Sequence, residues 1–358
     1  MAIDPAIDDV STYSPTAEDR SANVDRGQTR RRIDLPPFPT GWFAIASSSD
    51  LAPGDVAPKT FCGHEVVLFR KPSGRPVVLD AYCPHLGAHL GFGSTVSEEG
   101  LRCPFHGWQW SAEGKCVDMP YGGRISPGAK TRSWPVAEQD EVILVWNGSK
   151  APTWQMPTFS DRKWTAPRTM VRQIRSHPQE ILENSVDFAH FRFVHRTHMM
   201  KATAAPDQDG PVFDVRVEAD PQAVDTSMQL PDDILLDGSA VCHGPGLGFA
   251  SLSMKGMSTG LQRLYATPID GETIELRGLV TLEVSDDADD QDAFLDLLAE
   301  QVIENWAFDI NIWDNKRYQS KPLLNRSERL IPEFRRWYSQ FYTPGAYDQT
   351  PPPQLSRV

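Results

Sequence analysis

Residues Cys83 to Trp110 read Cys-Pro-His-Leu-Gly-Ala-His-Leu-Gly, a variable stretch, and then Cys-Pro-Phe-His-Gly-Trp-Gln-Trp. Two cysteines and two histidines stand as Cys83-x-His85 and Cys103-x-x-His106, with the seventeen residues 86 to 102 between the pairs. Such a set suits a tetrahedral zinc ion, or a two-iron, two-sulfur cluster in which two imidazoles replace two thiolates on one iron. The surroundings favour the cluster. Gly87, Gly91, Gly93 and Gly107 let two loops approach closely and aim backbone N–H groups at bridging sulfides, while Pro84 and Pro104 stiffen the turns. A zinc finger sets its second pair on a helix, whereas Gly-Trp-Gln-Trp after His106 reads as a return to strand. Position 88 is Ala and position 105 is Phe, so the extra cysteine pair that links the two loops in some high-potential clusters is missing. That points to a low-potential cluster feeding electrons to an enzyme.

Outward from this stretch, short β-rich runs at 41–46, 64–70 and 76–80 precede the cluster loops, and runs at 115–119 and 142–146 follow them, with Asn147-Gly148 closing a turn. They predict a small antiparallel domain over 37–150. Residues 1–36 are polar, end near the triplet Arg30-Arg31-Arg32 and read as a mobile arm. Pro152, Pro157 and Pro167 punctuate the link to a second domain over 151–345. There, strand-like runs at 212–218, 225–230, 247–255, 261–268 and 272–284 predict a large antiparallel sheet, with a long helix over 290–318. A Pro-rich tail, 346–358, follows. The predicted class is α+β, and 358 residues suffice for two cores.

A net charge of -13 argues against nucleic acid or an anionic membrane as the main partner. The start has no basic segment followed by an apolar one, and no run of 18 apolar residues occurs, so neither a secretory signal nor a membrane span is expected. Of five cysteines, Cys62, Cys116 and Cys242 are left over and read as buried thiols in a reducing compartment, the cytoplasm.

A second constellation begins at His177 and reads His-Pro-Gln-Glu-Ile-Leu-Glu-Asn-Ser-Val-Asp-Phe-Ala-His-Phe-Arg-Phe-Val-His. On a helix Asn184, Asp187 and His190 share one face, but His195 lies about 140° round from His190. One ion holds both imidazoles only if the helix bulges or ends between them. The alternative is a polar helix face with incidental histidines. Two histidines and a carboxylate form the triad with which non-haem Fe(II) oxygenases bind O₂. In the late helix, Leu298, Val302, Trp306, Ile310 and Trp313 make the apolar stripe; Asp309 falls near its centre, Asp314 at its margin and Glu304 opposite. Asp309 is therefore the expected buried acid, which needs a partner or a metal.

From Gly41 to Tyr342, this order of Cys-x-His, Cys-x-x-His and then Asn-x-x-Asp-x-x-His-x4-His resembles the oxygenase component of Rieske non-haem iron oxygenases. Asp309-Ile-Asn-Ile-Trp-Asp-Asn-Lys-Arg-Tyr, Pro322-Leu-Leu and Phe334-Arg-Arg-Trp-Tyr-Ser-Gln-Phe-Tyr are similar to the 3-ketosteroid 9α-hydroxylases and the Neverland-type cholesterol 7-desaturases. The stretch from His177 to Asn184 looks more like the sterol desaturases. The resemblance implies an N-terminal Rieske domain, and a C-terminal helix-grip domain with a large antiparallel sheet and long helices. It implies a [2Fe–2S] cluster on Cys83, His85, Cys103 and His106, and Fe(II) on His190, His195 and Asp309. O₂ is the implied cosubstrate, and Asn184 and Asp187 the implied supporting residues. It further implies a homotrimer in which Asp187 bridges His106 of one subunit and His190 of the next. Electrons would come from NAD(P)H through a flavin/iron-sulfur reductase, with or without a ferredoxin, for hydroxylation or desaturation of a steroid-like apolar ring.

Other residues carry smaller expectations. His89 is read as a structural hydrogen bonder, Trp108 and Trp110 as packing beneath the cluster, and His64, His177, His198 and His243 as packing or support. Residues 244–254 and Met257 are candidate pocket lining. Two rival readings remain: oxygenation of a non-steroid aromatic or alicyclic ring, and a stand-alone Rieske electron carrier. A carrier has no need of a second constellation or of the 200 residues around it.

Overall fold

The computed structural model describes residues 32–195, 200–219, 237–253, 259–284 and 291–342. The expected strand at 225–230, His198, Met254, Met257, most of the N-terminal arm and the Pro-rich tail lie outside the described residues. Within them the chain is largely antiparallel sheet with few helices, the α+β class expected.

Three sheets build the first half. Gly41–Ser47, Val142–Asn147 and Val136–Gln139 form one; Val56–Phe61, His64–Arg70, Pro76–Asp80 and Ser133–Trp134 form the second. Gly41–Ser47 and Val142–Asn147 are buried along their whole length, because their sheet is covered on both faces. Phe43, Phe61, Val66, Leu68, Trp134, Ile143 and Val145 share the core on one side; Trp42, Ala44, Leu144 and Trp146 pack on the other against Leu247, Tyr265 and Leu279 of the second half. A third, small sheet of Thr95–Ser97, Gly100–Arg102, Gln109–Trp110 and Cys116–Asp118 carries the cluster loops. In place of the expected turn at Asn147-Gly148, Asn147 is the last residue of its strand and the chain bends from Gly148; the Asn147 carboxamide donates to the Pro39 carbonyl at 2.8 Å.

The second half is one eight-stranded sheet. Its order is Arg168–Ile174, Ile274–Leu282, Gly260–Pro268, Leu247–Ser253, Asp237–His243, Val212–Ala219 and Met200–Ala202, with Asp207–Asp209 also paired to Val212–Ala219. Arg168–Ile174 and Asp237–His243 are strands that the sequence pattern does not announce. The first is an edge strand studded with polar residues, and the second holds Gly, Ser and Ala where strand formers are expected.

The two halves are joined through main-chain bonds. Cys62 N–H donates to the Pro268 carbonyl and Gly63 N–H to that of Ile269, each at 2.8 Å, and the Thr267 hydroxyl donates to the Ala44 carbonyl at 2.7 Å. Buried Arg277 crosses the same seam, with Nη1 donating to the Ser47 hydroxyl at 2.7 Å and Nη2 to Glu275 at 2.9 Å.

The long helix Gln291–Trp313 lies on the sheet, shorter than expected at its C-terminal end. Leu295, Ala299, Val302, Trp306 and Trp313 bury its apolar stripe against Met170, Ile174, Leu276, Val280 and Leu282. Closest approach is at Gly278, where an added Cβ would meet the Trp306 ring at 2.1 Å. Among the described residues, no helix is long and apolar enough to cross a membrane.

Gly278→Val is expected to lift the long helix from the sheet and destabilise the protein by about 1–3 kcal/mol, the usual cost of overpacking. Asp309 lies three residues beyond Trp306, so bound iron should fall while the cluster spectrum persists. Thermal unfolding together with metal analysis checks both.

Candidate metal centres

The first centre is made by two loops with the same backbone device. Cys83 N–H donates to Ala88 and its carbonyl accepts from Gly87; Cys103 N–H donates to Trp108 and its carbonyl accepts from Gly107, all at 2.9 to 3.1 Å. Each loop thus closes on itself through a glycine four residues after the cysteine. Gly87 and Gly107 have φ of 76° and 72°, a conformation in which glycine meets no steric cost. The loops bring like to like. The two cysteine sulfurs lie within hydrogen-bonding reach of each other, and the rings of His85 and His106 meet with centroids 4.6 Å apart.

That pairing tests the metal. One zinc ion with bonds of about 2.0–2.3 Å draws all four ligand atoms into a single tetrahedron. Here the cysteines pair with each other and the histidines with each other, and among the described residues these four form no set of three whose ligand atoms lie within 4.8 Å of one another, so two irons fit better than one ion. A second observation agrees. Trp110 is fully buried near Cys83, and its indole N–H has no hydrogen-bond partner among the described residues, as suits a donor awaiting cluster sulfur. Burial raises the Cys83 thiol above its ordinary range, opposed by the backbone N–H of His85 and the Trp110 indole. Trp108 stacks on His85, with centroids 4.4 Å apart and planes 8° apart, and its N–H donates to the Tyr121 hydroxyl at 2.5 Å. His89 accepts from Gly91 N–H at 2.9 Å.

At the second centre, the chain from Pro178 to Val194 is broken where the chemistry needs a break. Pro178–Leu182 is a short helix capped by His177, whose Nδ1 accepts from Gln179 N–H at 3.0 Å. A 3₁₀ turn, Glu183–Val186, follows, and Asp187 leaves the helical region at φ -91°, ψ 86°. Ala189–Phe193 then forms a second short helix ending before His195. The single face shared by Asn184, Asp187 and His190 is therefore corrected: the helix is interrupted at Asp187, and the turn, not helical spacing, brings Asn184 to His190. The expected end between His190 and His195 is present.

Asp309, 4% exposed, reaches in from the long helix. Its Oδ2 lies 3.3 Å from His195 Nε2 and its Oδ1 4.0 Å from His190 Nε2, and the three ligand atoms fall within 4.8 Å of one another. Bonds of about 2.1 Å to a common ion give such spacing. His190 Nδ1–H donates to the main-chain carbonyl of Asp187, which leaves the Nε2 lone pair as an acceptor. Asn184 Nδ2 donates to that atom at 3.0 Å, a place that a bound ion would take instead. Burial lowers the His190 pKa, outweighing the nearby carboxylates of Asp309 and Asp187, so the ring is held neutral, as ligation demands. Asp314 is set apart: its carboxylate accepts from Arg175 N–H at 2.7 Å.

These ligands close one end of a cavity of about 390 Å³. Its lining is largely apolar, with Ile181, Leu182, Phe188, Val241, Leu264 and Trp306 among the contributors. From the candidate lining at 244–254, Gly248, Phe249, Ala250 and Ser251 do border it, whereas Gly246 packs against Phe43 at the seam. The sequence reading missed the supports. Lys316 pairs with buried Glu180 at 2.8 Å, and Arg335 makes a two-pronged pair with Glu183 at 2.6 and 2.7 Å. The signal was present in the acid spacing of the segment after His177, but the partners lie more than 130 residues away. His177 and His243 find backbone carbonyls, of Pro36 and Gln155, and His64 packs on Trp134.

A two-iron cluster domain beside a buried two-histidine, one-carboxylate site defines the class of Rieske non-haem iron oxygenases. Residues 41–135 match the Rieske [2Fe–2S] domain family, and residues 145–342 match the 3-ketosteroid 9alpha-hydroxylase C-terminal domain family. The chain is 34% identical over 349 residues to a cholesterol 7-desaturase of Ciona intestinalis, covering 90% of this chain and 73% of that protein. It is 30% identical to a probable 3-ketosteroid-9-alpha-monooxygenase, oxygenase component, of Rhodococcus rhodochrous, covering 92% and 85%. NdmA of Pseudomonas putida CBB5 shares the fold, with a TM-score of 0.66 at 20% identity over 84% of this chain and 89% of that one. The chain belongs to the Rieske oxygenases with a 3-ketosteroid 9α-hydroxylase-type C-terminal domain. It is an O₂-dependent monooxygenase whose cofactors are a [2Fe–2S] cluster and a mononuclear iron.

Asp309→Ala is expected to lose the mononuclear iron and keep the cluster spectrum, while Asp314→Ala keeps both; metal analysis and EPR distinguish them. Trp110→Phe should lower the cluster potential by removing a hydrogen bond to sulfur, and Trp110→Tyr should recover part of it. Equal potentials in all three proteins, measured by redox titration, would remove Trp110 from this role.

Proposed function

We propose that this chain is the oxygenase component of a multicomponent system that hydroxylates or desaturates a steroid-like, polycyclic apolar substrate. The observation that carries the reading is the apolar cavity ending on His190, His195 and Asp309. Two walls support a flat polycycle. The sheet side offers small residues on one face, Ala240 paired with Ala250 and each with a glycine two residues before it, Gly238 and Gly248, and the helix side offers Leu298, Val302 and Trp306. Burying rings there is favourable by about 25 cal/mol per Å² of apolar surface. The names of the two relatives agree in substrate class, a sterol and a ketosteroid.

In this reading Cys83, His85, Cys103 and His106 hold the cluster, and His190, His195 and Asp309 hold the iron. With iron bound, the site supplies activation of O₂ against a C–H bond, one oxygen atom entering the product and the other leaving as water in the hydroxylation case. The cavity walls fix the substrate and exclude water. The Asp187 carbonyl orients His190, so the Asp187 carboxylate is left for another partner. A head-to-tail trimer supplies one, with His106 of a neighbouring subunit on its other side. Exposed Leu86, Phe92, Phe105 and Tyr121 around the cluster, and exposed Phe193 and Phe308 beside the iron ligands, are surfaces that such a ring would cover. Electrons then come from a separate flavin/iron-sulfur reductase, with or without a ferredoxin. Buried free thiols at Cys62, Cys116 and Cys242 suit the reducing cytoplasm.

Incubation with a ferredoxin-type reductase, NAD(P)H and a panel of steroids and aromatic acids, read by mass spectrometry, tests the substrate class. Oxygenation of a simple aromatic with no steroid-stimulated O₂ uptake would overturn it. Asp187→Asn keeps the main-chain carbonyl, so both metals and the oligomer should survive while single-turnover reoxidation of the cluster slows. An unchanged rate would take the carboxylate out of the electron path.

A further inference from the structure

The cavity contains a polar group that neither the fold nor the metal set uses. Gln301, Asn305 and Asp309 recur at four-residue steps on the long helix, so they share a face, and all three border the cavity. Asp309 belongs to the metal site. Gln301, about 12 Å along the helix axis from it, is exposed at the mouth, where water competes for its hydrogen bonds. Asn305 lies between them, about 6 Å of axis from Asp309, and is half-buried. Its carboxamide has no hydrogen-bond partner among the described residues, although its neighbours on the cavity wall, Leu298, Val302 and Trp306, are apolar.

The facing wall narrows the choice. Ser239 and Ser251 also border the cavity, but they are paired across their strands and alternate with Ala240 and Ala250, so the pleat turns their side chains to the opposite face of the sheet from the two alanines. Gln262 is in register with Ala250, and its neighbour Arg263 points away, into the seam, where it donates to the Asp140 carbonyl. Gln262 therefore stands at the edge of the small-residue floor, one strand removed from its centre. Asn305 hangs from the other wall, one helical turn from the ligand set.

We propose that Asn305 is the specificity-determining residue for the substrate's oxygen function. Its carboxamide hydrogen-bonds a ketone or secondary alcohol on an otherwise apolar polycycle and thereby fixes which ring carbon faces the metal site. A carboxamide suits this task because it carries both a donor and an acceptor: the NH₂ takes a ketone oxygen and the C=O takes a hydroxyl proton. One turn of helix corresponds to about two fused six-membered rings, built of bonds of about 1.5 Å, so an oxygen held at Asn305 leaves carbons of a neighbouring ring beside His190 and His195. The inference rests on the steroid reading above and adds the group that sets the register.

The test compares wild-type enzyme with Asn305→Leu, each holding its cluster and iron, on an oxygenated steroid and its deoxygenated hydrocarbon analogue. Binding is followed by equilibrium dialysis, and the position of oxygenation by mass spectrometry and NMR. Wild type should prefer the oxygenated steroid by about tenfold, the worth of one ordinary net hydrogen bond. In Asn305→Leu that preference should vanish, the hydrocarbon should bind at least as well as before, and products should spread over neighbouring carbons. Asn305→Gln keeps both hydrogen-bonding groups on a longer arm; it should retain the preference and move the oxygenated position. An unchanged preference and a single unchanged product in Asn305→Leu would overturn the assignment while leaving the steroid reading intact. If neither steroid binds wild type, the substrate class itself falls, and this inference with it.

Discussion

Two buried imidazoles and one buried carboxylate meet at His190, His195 and Asp309, and the second half of the molecule is arranged to make that meeting tolerable. A carboxylate only 4% exposed is costly unless it is paired or bound to a cation. Asp309 faces both histidines, while burial keeps His190 uncharged. The site is thus a cage of donor atoms whose net charge asks for a metal cation. Its geometry depends on two mechanical features: a helix that stops before His195, and a second helix seated on the sheet at Gly278.

Those features are locked by charges that the chemistry does not use. The short helix leading to Asn184 carries Glu180 and Glu183, both buried, and each finds a cation on a later segment. Lys316 follows the end of the long helix, so its pairing with Glu180 ties the helix that carries Asp309 to the segment that carries His190. Arg335 does the same for the C-terminal helix Leu330–Tyr338 through its two-pronged contact with Glu183. Breaking either pair would leave a buried acid uncompensated, which is costlier than never having had the pair.

The cluster end follows a different logic. Its ligands come from two short loops with matching hydrogen bonds, and their shape is stored in local sequence: cysteine, proline, and a glycine four residues on. Little of it depends on distant partners. The indole N–H of Trp110, buried near Cys83 and without a hydrogen-bond partner among the described residues, is available as a donor to cluster sulfur.

This difference explains what was legible in the sequence. The candidate cluster ligands Cys83, His85, Cys103 and His106, the return to strand at Gln109 and the buried stripe bearing Asp309 are periodic or local, and periodic or local patterns survive in a one-dimensional string. The break in the helix at Asp187 had no such signal, because Asn, Ser, Val and Asp are compatible with a helix and with a turn alike. Packing decided it: Leu182, Val186 and Phe188, before and after the break, share one core with Phe213, Cys242 and Phe334. Strand Asp237–His243 was hidden for the same reason: its Gly, Ser and Ala are poor strand formers, held there by pairing on both sides, and the Ser251 carbonyl of the next strand leaves no room for a side chain at Gly238. Sequence alone therefore picked out the candidate ligands on the cluster loops and determined which acid is buried. Tertiary structure decided that the Asp187 carbonyl orients His190, that Lys316 and Arg335 answer Glu180 and Glu183, and that Asn305 faces the cavity, because each depends on contacts between segments that only packing brings together.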